Sequence, residues 1–200
     1  MRTSNRRRVG IVTILSLFTF LSLSAGTAWA GGKWYTQFYT GQSTLVPFYQ
    51  TPFKRWDLQN EYLVSLAVGK ELRRLRDHLT LEAEGQVVGH WGDSGGYMEC
   101  VGSVILRWHR FPWERHVRTT FGFGEGLSFA NRIPDHEIEK PGDPGSRLLN
   151  YLMYEVTLAH PEWEHTHFFF RVHHRSGIFG LFNGVHGASN YPSLGIKYVF

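Results

Sequence analysis

The sequence predicts an all-β chain, an eight-stranded antiparallel up-and-down β-barrel. Three observations carry that prediction. Period-two alternation of apolar and polar residues recurs along nearly the whole sequence beyond residue 30. No second run of 18 or more apolar residues follows that point, which counts against a helical membrane protein. The connections between the predicted strands also alternate between long and short.

Residues 1–30 read as a cleaved secretory signal. Arg6, Arg7 and Arg8 precede an apolar run from Val9 to Leu23, and Ala28-Trp29-Ala30 supplies the small-residue cleavage site. An uncleaved anchor is the alternative, but the h-region is short for a span. Four of the 21 Lys and Arg (Arg2, Arg6, Arg7, Arg8) and none of the 17 Asp and Glu lie in this segment, so residues 31–200 are neutral. The basic balance of the full chain is therefore no sign of nucleic-acid binding. Cys100 is the only cysteine, which excludes an intrachain disulfide and a thiolate metal site and suits a buried or lipid-facing thiol.

Strands are predicted at about Lys33 to Tyr39, Glu61 to Gly69, Leu79 to His90, Tyr97 to Arg107, His116 to Phe129, Leu148 to Ala159, Thr166 to Ser176 and Ser193 to Phe200. In the second, Tyr62, Val64, Leu66 and Val68 oppose Glu61, Ser65 and Gly69. In the third, Leu79, Leu81, Ala83, Val87 and Trp91 share one face and Thr80, Glu82, Glu84, Gln86 and His90 the other. A secreted β-sandwich would alternate too, with its polar face in water.

The connections decide between these. Odd-numbered ones, around Thr40 to Asn60, Gly92 to Gly96, Ala130 to Arg147 and Gly177 to Pro192, are long in three of four cases. Those at Lys70 to His78, Trp108 to Arg115 and Pro161 to His165 are short. Long outer loops, short periplasmic turns, an even strand number and aromatics at strand ends (Trp91, Trp108, Tyr198) fit a transmembrane barrel in a bacterial outer membrane. Closure is required because unpaired strand edges have no partner in lipid. Lys70, Arg73, Arg74 and Arg76 then form a basic, solvated periplasmic turn. Glu82 and Glu84 point inward, where Arg107, Arg118 or Lys197 can neutralise them.

The seventh strand carries the candidate chemistry. His167, Arg171, His173 and Arg175 can only be interior, so Phe168, Phe170 and Val172 face lipid, and by the same alternation so do His174 and Ser176. An odd strand climbs outward, which aims this pair at the outer leaflet. Residues i and i+2 stand about 6.5 to 7 Å apart on one face, within reach of a base and a nucleophile. An interfacial His and Ser bonded to headgroups is the structural alternative. Polar groups on a lipid face are costly, which favours function. Gly177 and Gly180 can turn amides toward an oxyanion, or simply shape the loop as Gly184 and Gly187 do. His160, His165, His167 and His173 crowd one region beside Arg171 and Arg175, cations that disfavour a metal; no metal is expected.

The stretch R-V-H-H-R-S-G-I-F-G, the Asn183-Gly184 turn and a last strand ending Y-V-F resemble the outer-membrane lipid A 3-O-deacylases of the PagL type over roughly the last 35 residues. The resemblance implies an eight-stranded barrel that hydrolyses the ester at position 3 of lipid A in the outer leaflet, without a cofactor. It makes His174 the general base and Ser176 the nucleophile. The chain departs from the family at three points. Gly177 and Phe179 stand where the family has Asn and Gly, with Gly180 one later, and no acid lies between Ser176 and Phe200, so the family's glutamate is missing. Two residues can take its orienting role. One is Asn190, just before the predicted last strand; the other is Glu125, which shares the outward face of Phe121, Phe123 and Leu127 but sits two strands away, about 9 to 10 Å. A catalytically inactive structural or adhesive barrel is the alternative function, and a homodimer is left open.

Overall fold

The computed structural model describes residues 32–138 and 144–200, and the signal expected at residues 1–30 lies outside them. Eight strands close into one antiparallel barrel in sequence order, β1 (Trp34–Thr44), β2 (Leu58–Arg76), β3 (Leu79–Gly92), β4 (Tyr97–Trp108), β5 (Arg118–Ala130), β6 (Leu148–Ala159), β7 (Thr166–Ser176) and β8 (Ala188–Val199). β1 pairs with both β2 and β8, so no strand edge runs the height of the wall. The amide of Phe200 donates to the carbonyl of Trp34 at 2.9 Å, tying the last residue to the first strand.

Alternation sorts the side chains as a membrane barrel requires. Phe38, Leu66, Val68, Val87, Phe129, Leu194 and Ile196 stand exposed on the outer wall, a contiguous apolar surface suited to hydrocarbon and not to water. Trp34, Trp108, Tyr198 and Phe200 gather at the end where the chain enters and leaves the barrel.

The interior is filled by side chains. In its lower part Glu82, Glu84 and Glu155 are matched by Arg107, Arg171 and Lys197. Arg171 donates to Glu155 at 2.5 Å and to Glu84 at 2.6 Å, and Arg107 donates to Glu82 at 2.8 Å. Charges this deep persist only when paired. Tyr39, Leu63, Val88, Ile105, Tyr151, Met153 and Phe169 form an apolar layer. Above it His90 and His173 face Glu99 at 2.7 and 3.2 Å, and Ser128 donates to Glu99 at 2.5 Å. After β5 the 3-10 turn Asp135–Glu137 packs at the top. Its Glu137 is buried, paired with Arg175 and bonded by Ser189 at 2.9 Å. Burial pushes the Glu137 carboxyl up to about 7 against the opposing pull of Arg175.

Three expectations are corrected. Lys70, Arg73, Arg74 and Arg76 belong to β2, which runs to Arg76 through two bulges; the turn is only Asp77 and His78. Arg118 does not neutralise the interior glutamates. It donates to the His160 carbonyl at 3.4 Å, and Arg171 takes Glu84. β8 begins at Ala188, not Ser193, and contains Pro192. A proline is tolerated there because β8 pairs with β1 only up to Ser193. Above that residue its outer side is an edge, where a missing N–H breaks no ladder.

The closure is strongly staggered. Trp34, Lys70, Ala83, Val104, Glu125, Leu152, His174 and Asn190 are successive cross-strand partners around the wall. Continuing the β8–β1 register brings Asn190 level with Thr44. A row that starts at the first residue of β1 thus returns beside its last, a stagger of about 10 residues. The chain therefore leaves the top of β1 close to His174 and Asn190.

Candidate active site

β7 spans Thr166–Ser176, and its outer face carries Phe168 and Phe170 toward lipid, whereas Val172, expected to face lipid with His174 and Ser176 above it, is fully covered, beside the β1–β2 loop. His174 and Ser176 continue that face upward, each 8% exposed. Across the ladder His174 pairs directly with Asn190. Directly opposed residues on one face hold their Cβ atoms about 4.5–5.5 Å apart, close enough for short polar side chains to meet. The imidazole Nδ1 of His174 lies 2.7 Å from Oδ1 of Asn190.

With the amide oxygen of Asn190 toward the ring, Nδ1 carries the proton and Nε2 keeps its lone pair. An imidazole with its lone pair on Nε2, on the same face as a serine hydroxyl two residues on, carries the groups that proton transfer from that hydroxyl needs.

Glu125 is exposed on the outer face in the same pairing row, with Leu152 between it and His174. Strand spacing puts it about 9 to 10 Å from β7, beyond hydrogen-bond reach of the imidazole.

Gly177 and Gly180 open the β7–β8 loop. A Cβ at Gly177 would stand 2.1 Å from the Val185 carbonyl oxygen, so only glycine fits. Its amide makes a long 3.4 Å bond to the Gly187 carbonyl, and the Gly180 amide donates to Val185 at 2.8 Å. Both amides are thus engaged within the loop. Ile178, Phe179 and Gly180 are successively left-handed, with φ of 47°, 53° and 87°. A β-branched residue there is strained, and such strain concentrates at working sites.

One neighbour of the site has no signal in the strand pattern. The β1–β2 loop, residues 45–57, leaves beside His174 because of the stagger, and its 3-10 turn Phe48–Gln50 lies on the outer wall. The Phe48 ring stands 4.8 Å from the His174 ring and 5.1 Å from that of Tyr154, covering the imidazole. The loop's aromatic content is the one hint the sequence holds of this.

The histidines grouped by sequence are separated in space. His160 and His165 sit half-exposed at the lower turn, and His173 is buried in the upper interior. Among the described residues, His90, Glu99 and His173 are the group whose donor atoms, all within 4.8 Å, could hold a metal ion. Glu99 bonds both imidazoles and Tyr39 adds a bond to His173 Nδ1 at 2.9 Å, while His90 Nδ1 is buried without a hydrogen-bond partner.

The outer membrane enzyme PagL has a crystal structure similar to this one, with a TM-score of 0.60 and 14% identity over 82% of this chain and 98% of that one. The fold is that of the outer-membrane barrels. Neisserial surface protein A (NspA) is similar as well, with a TM-score of 0.53 and 13% identity over 85% of this chain and 99% of that one. No family model matches the chain, and no curated protein matches it in sequence.

Proposed function

We propose that the chain is an outer-membrane hydrolase that removes the ester-linked acyl chain at position 3 of lipid A. Ser176 is the nucleophile, His174 the general base and Asn190 the group that orients it. The observation that carries this reading is the 2.7 Å contact between His174 Nδ1 and Asn190 Oδ1 on the outer wall. The His–Asn pair and the serine lie on the outer wall beneath the Phe48 ring, where buried polar groups are costly unless they serve a purpose. The similarity in fold to PagL, described as an outer membrane enzyme, supports it further.

In this mechanism Nε2 of His174 takes the Ser176 proton as Oγ attacks the ester carbonyl, and returns it to the departing sugar alkoxide. Water then enters by the same route and releases the fatty acid. The oxyanion needs a donor, and the Gly177 amide, held only by its 3.4 Å bond, is the one a small loop shift frees. The Gly180 amide needs the loop to open further. Asn190 orients the ring without a charge to stabilise the imidazolium, which makes turnover lower than with a carboxylate in its place.

The test is mass analysis of lipid A incubated with purified, folded protein. Loss of one 3-position acyl chain, abolished by Ser176→Ala, supports the hydrolase. Intact lipid A in the presence of folded wild type favours the inactive barrel.

A further inference from the structure

The β1–β2 loop does more than cover His174. It folds on itself, with the Leu45 amide bonded to the Asp57 carbonyl at 3.1 Å and Trp56 Nε1 to the Thr51 carbonyl at 2.8 Å. Its aromatic underside turns toward the barrel wall, where the Trp56 indole stacks on Phe170 at 5.8 Å and 4°. Between loop and wall lies a cavity of about 710 Å³, lined by Phe48, Phe53 and Trp56 from the loop and by Phe121, Phe123 and Val156 from β5 and β6. That is the size of a small-molecule site. Lys54 is the only charged residue lining it.

The outer wall identifies the occupant. Phe121 and Phe123 belong to the exposed apolar belt, so the cavity continues the lipid-facing surface and is entered from hydrocarbon. A water-soluble ligand would have to cross lipid to reach an aromatic cavity that offers it almost no polar partner. The upper end is the Phe48 ring against His174. On β7 the Trp56–Phe170 stack lines the cavity four residues below His174, about 13 Å along the strand.

We propose that this loop is an acyl clamp: the cavity holds one acyl chain of an outer-leaflet lipid, its ester end beside Phe48 and His174, and the Trp56–Phe170 stack limits the length of chain accepted. The proposal rests on the hydrolase reading for the identity of the ester, and it adds the part of the molecule that selects the chain.

Two measurements test it. In the first, the Ser176→Ala protein is irradiated in micelles with an acylated glucosamine phosphate whose 3-linked chain ends in a diazirine. Adducts concentrated on Trp56, Phe170 and Phe121 are expected, at least about tenfold above those on Leu66 and Val87 of the opposite wall; even labelling around the belt overturns the clamp. This reading needs no turnover. Groove labelling with an inert wild type leaves the clamp standing and removes the hydrolase, whereas acid release with even labelling does the reverse. In the second, Trp56→Ala and Phe170→Ala are compared with wild type on 3-linked chains of graded length. Both move the optimum to longer chains, each buried methylene changing the rate about fourfold. An unchanged length profile in both variants, each folded by heat-modifiable migration, removes the stack from its limiting role.

Discussion

His174 and Asn190 face each other across the β7–β8 ladder, Nδ1 to Oδ1 at 2.7 Å, on the outer surface of the barrel. In the proposed mechanism the pairing makes the ring a base at Nε2, and it rests on an amide where a carboxylate would add charge. Two substitutions separate these effects. Asn190→Ala removes the orienting acceptor and lowers turnover about a hundredfold, at the low end of what a well-placed acid–base group contributes. Asn190→Asp keeps the acceptor, adds the charge that favours the imidazolium, and raises turnover at neutral pH by about tenfold. Initial rates on lipid A with barrels shown to be folded check both. Equal rates for all three proteins remove Asn190 from the mechanism.

The interior charge network predicts a stability change that leaves the outer wall untouched. Arg171 is fully buried and pairs with Glu84 and Glu155. Replacing it with methionine takes the paired cation from Glu84 and leaves Glu155 with Arg107 alone in the lower barrel. The expected loss is about 3–5 kcal/mol, read as a lower denaturant midpoint in detergent. An Arg171→Met, Glu84→Gln, Glu155→Gln triple variant recovers part of it.

Glu137 gives the upper closure a pH dependence. Its carboxyl, ordinarily near 4.5, is pushed by burial to about 7 in the folded chain. Between those values the folded segment holds a proton that the unfolded segment has lost. The stabilisation is therefore complete below about 4.5 and disappears as pH rises through about 7. Protease cleavage between β5 and β6 should accelerate as pH is raised from about 5 to about 8, and Glu137→Gln should flatten that response. A rate rising equally in both proteins contradicts the assignment.

The β7–β8 loop holds Ile178 at φ 47°. Ile178→Gly relieves a left-handed β-branched residue and is expected to raise stability by about 1 kcal/mol. Turnover falls if the strained turn positions the Gly177 amide. A melting curve and an initial rate on the same preparation read the two effects.

Much of this was legible in the sequence because a period of two is a local property. β7 lies at the predicted Thr166 to Ser176, and the inward Glu82 and Glu84 and the outward His174 and Ser176 follow from counting alone. What alternation cannot supply is the relation of distant strands. Pro192 reads as a strand end, so the sequence carries no sign that β8 continues up to Ala188 and pairs Asn190 directly with His174; the proline fits because β8 is free of β1 above Ser193. The β1–β2 loop reaches His174 because the barrel is staggered, a property of the whole circuit of registers and of no single segment. The His90, Glu99 and His173 cluster was missed for the same reason, since three strands contribute to it.

In the proposed mechanism Ser176 is a nucleophile activated by His174 on the outer wall, beneath the β1–β2 loop. Reaction of the folded protein with an alkyl fluorophosphonate, followed by peptide mass analysis, tests it most directly. A single adduct on Ser176, formed in wild type and suppressed in His174→Ala, is the expected result; no adduct, or one on another serine with Ser176 unmodified, contradicts it.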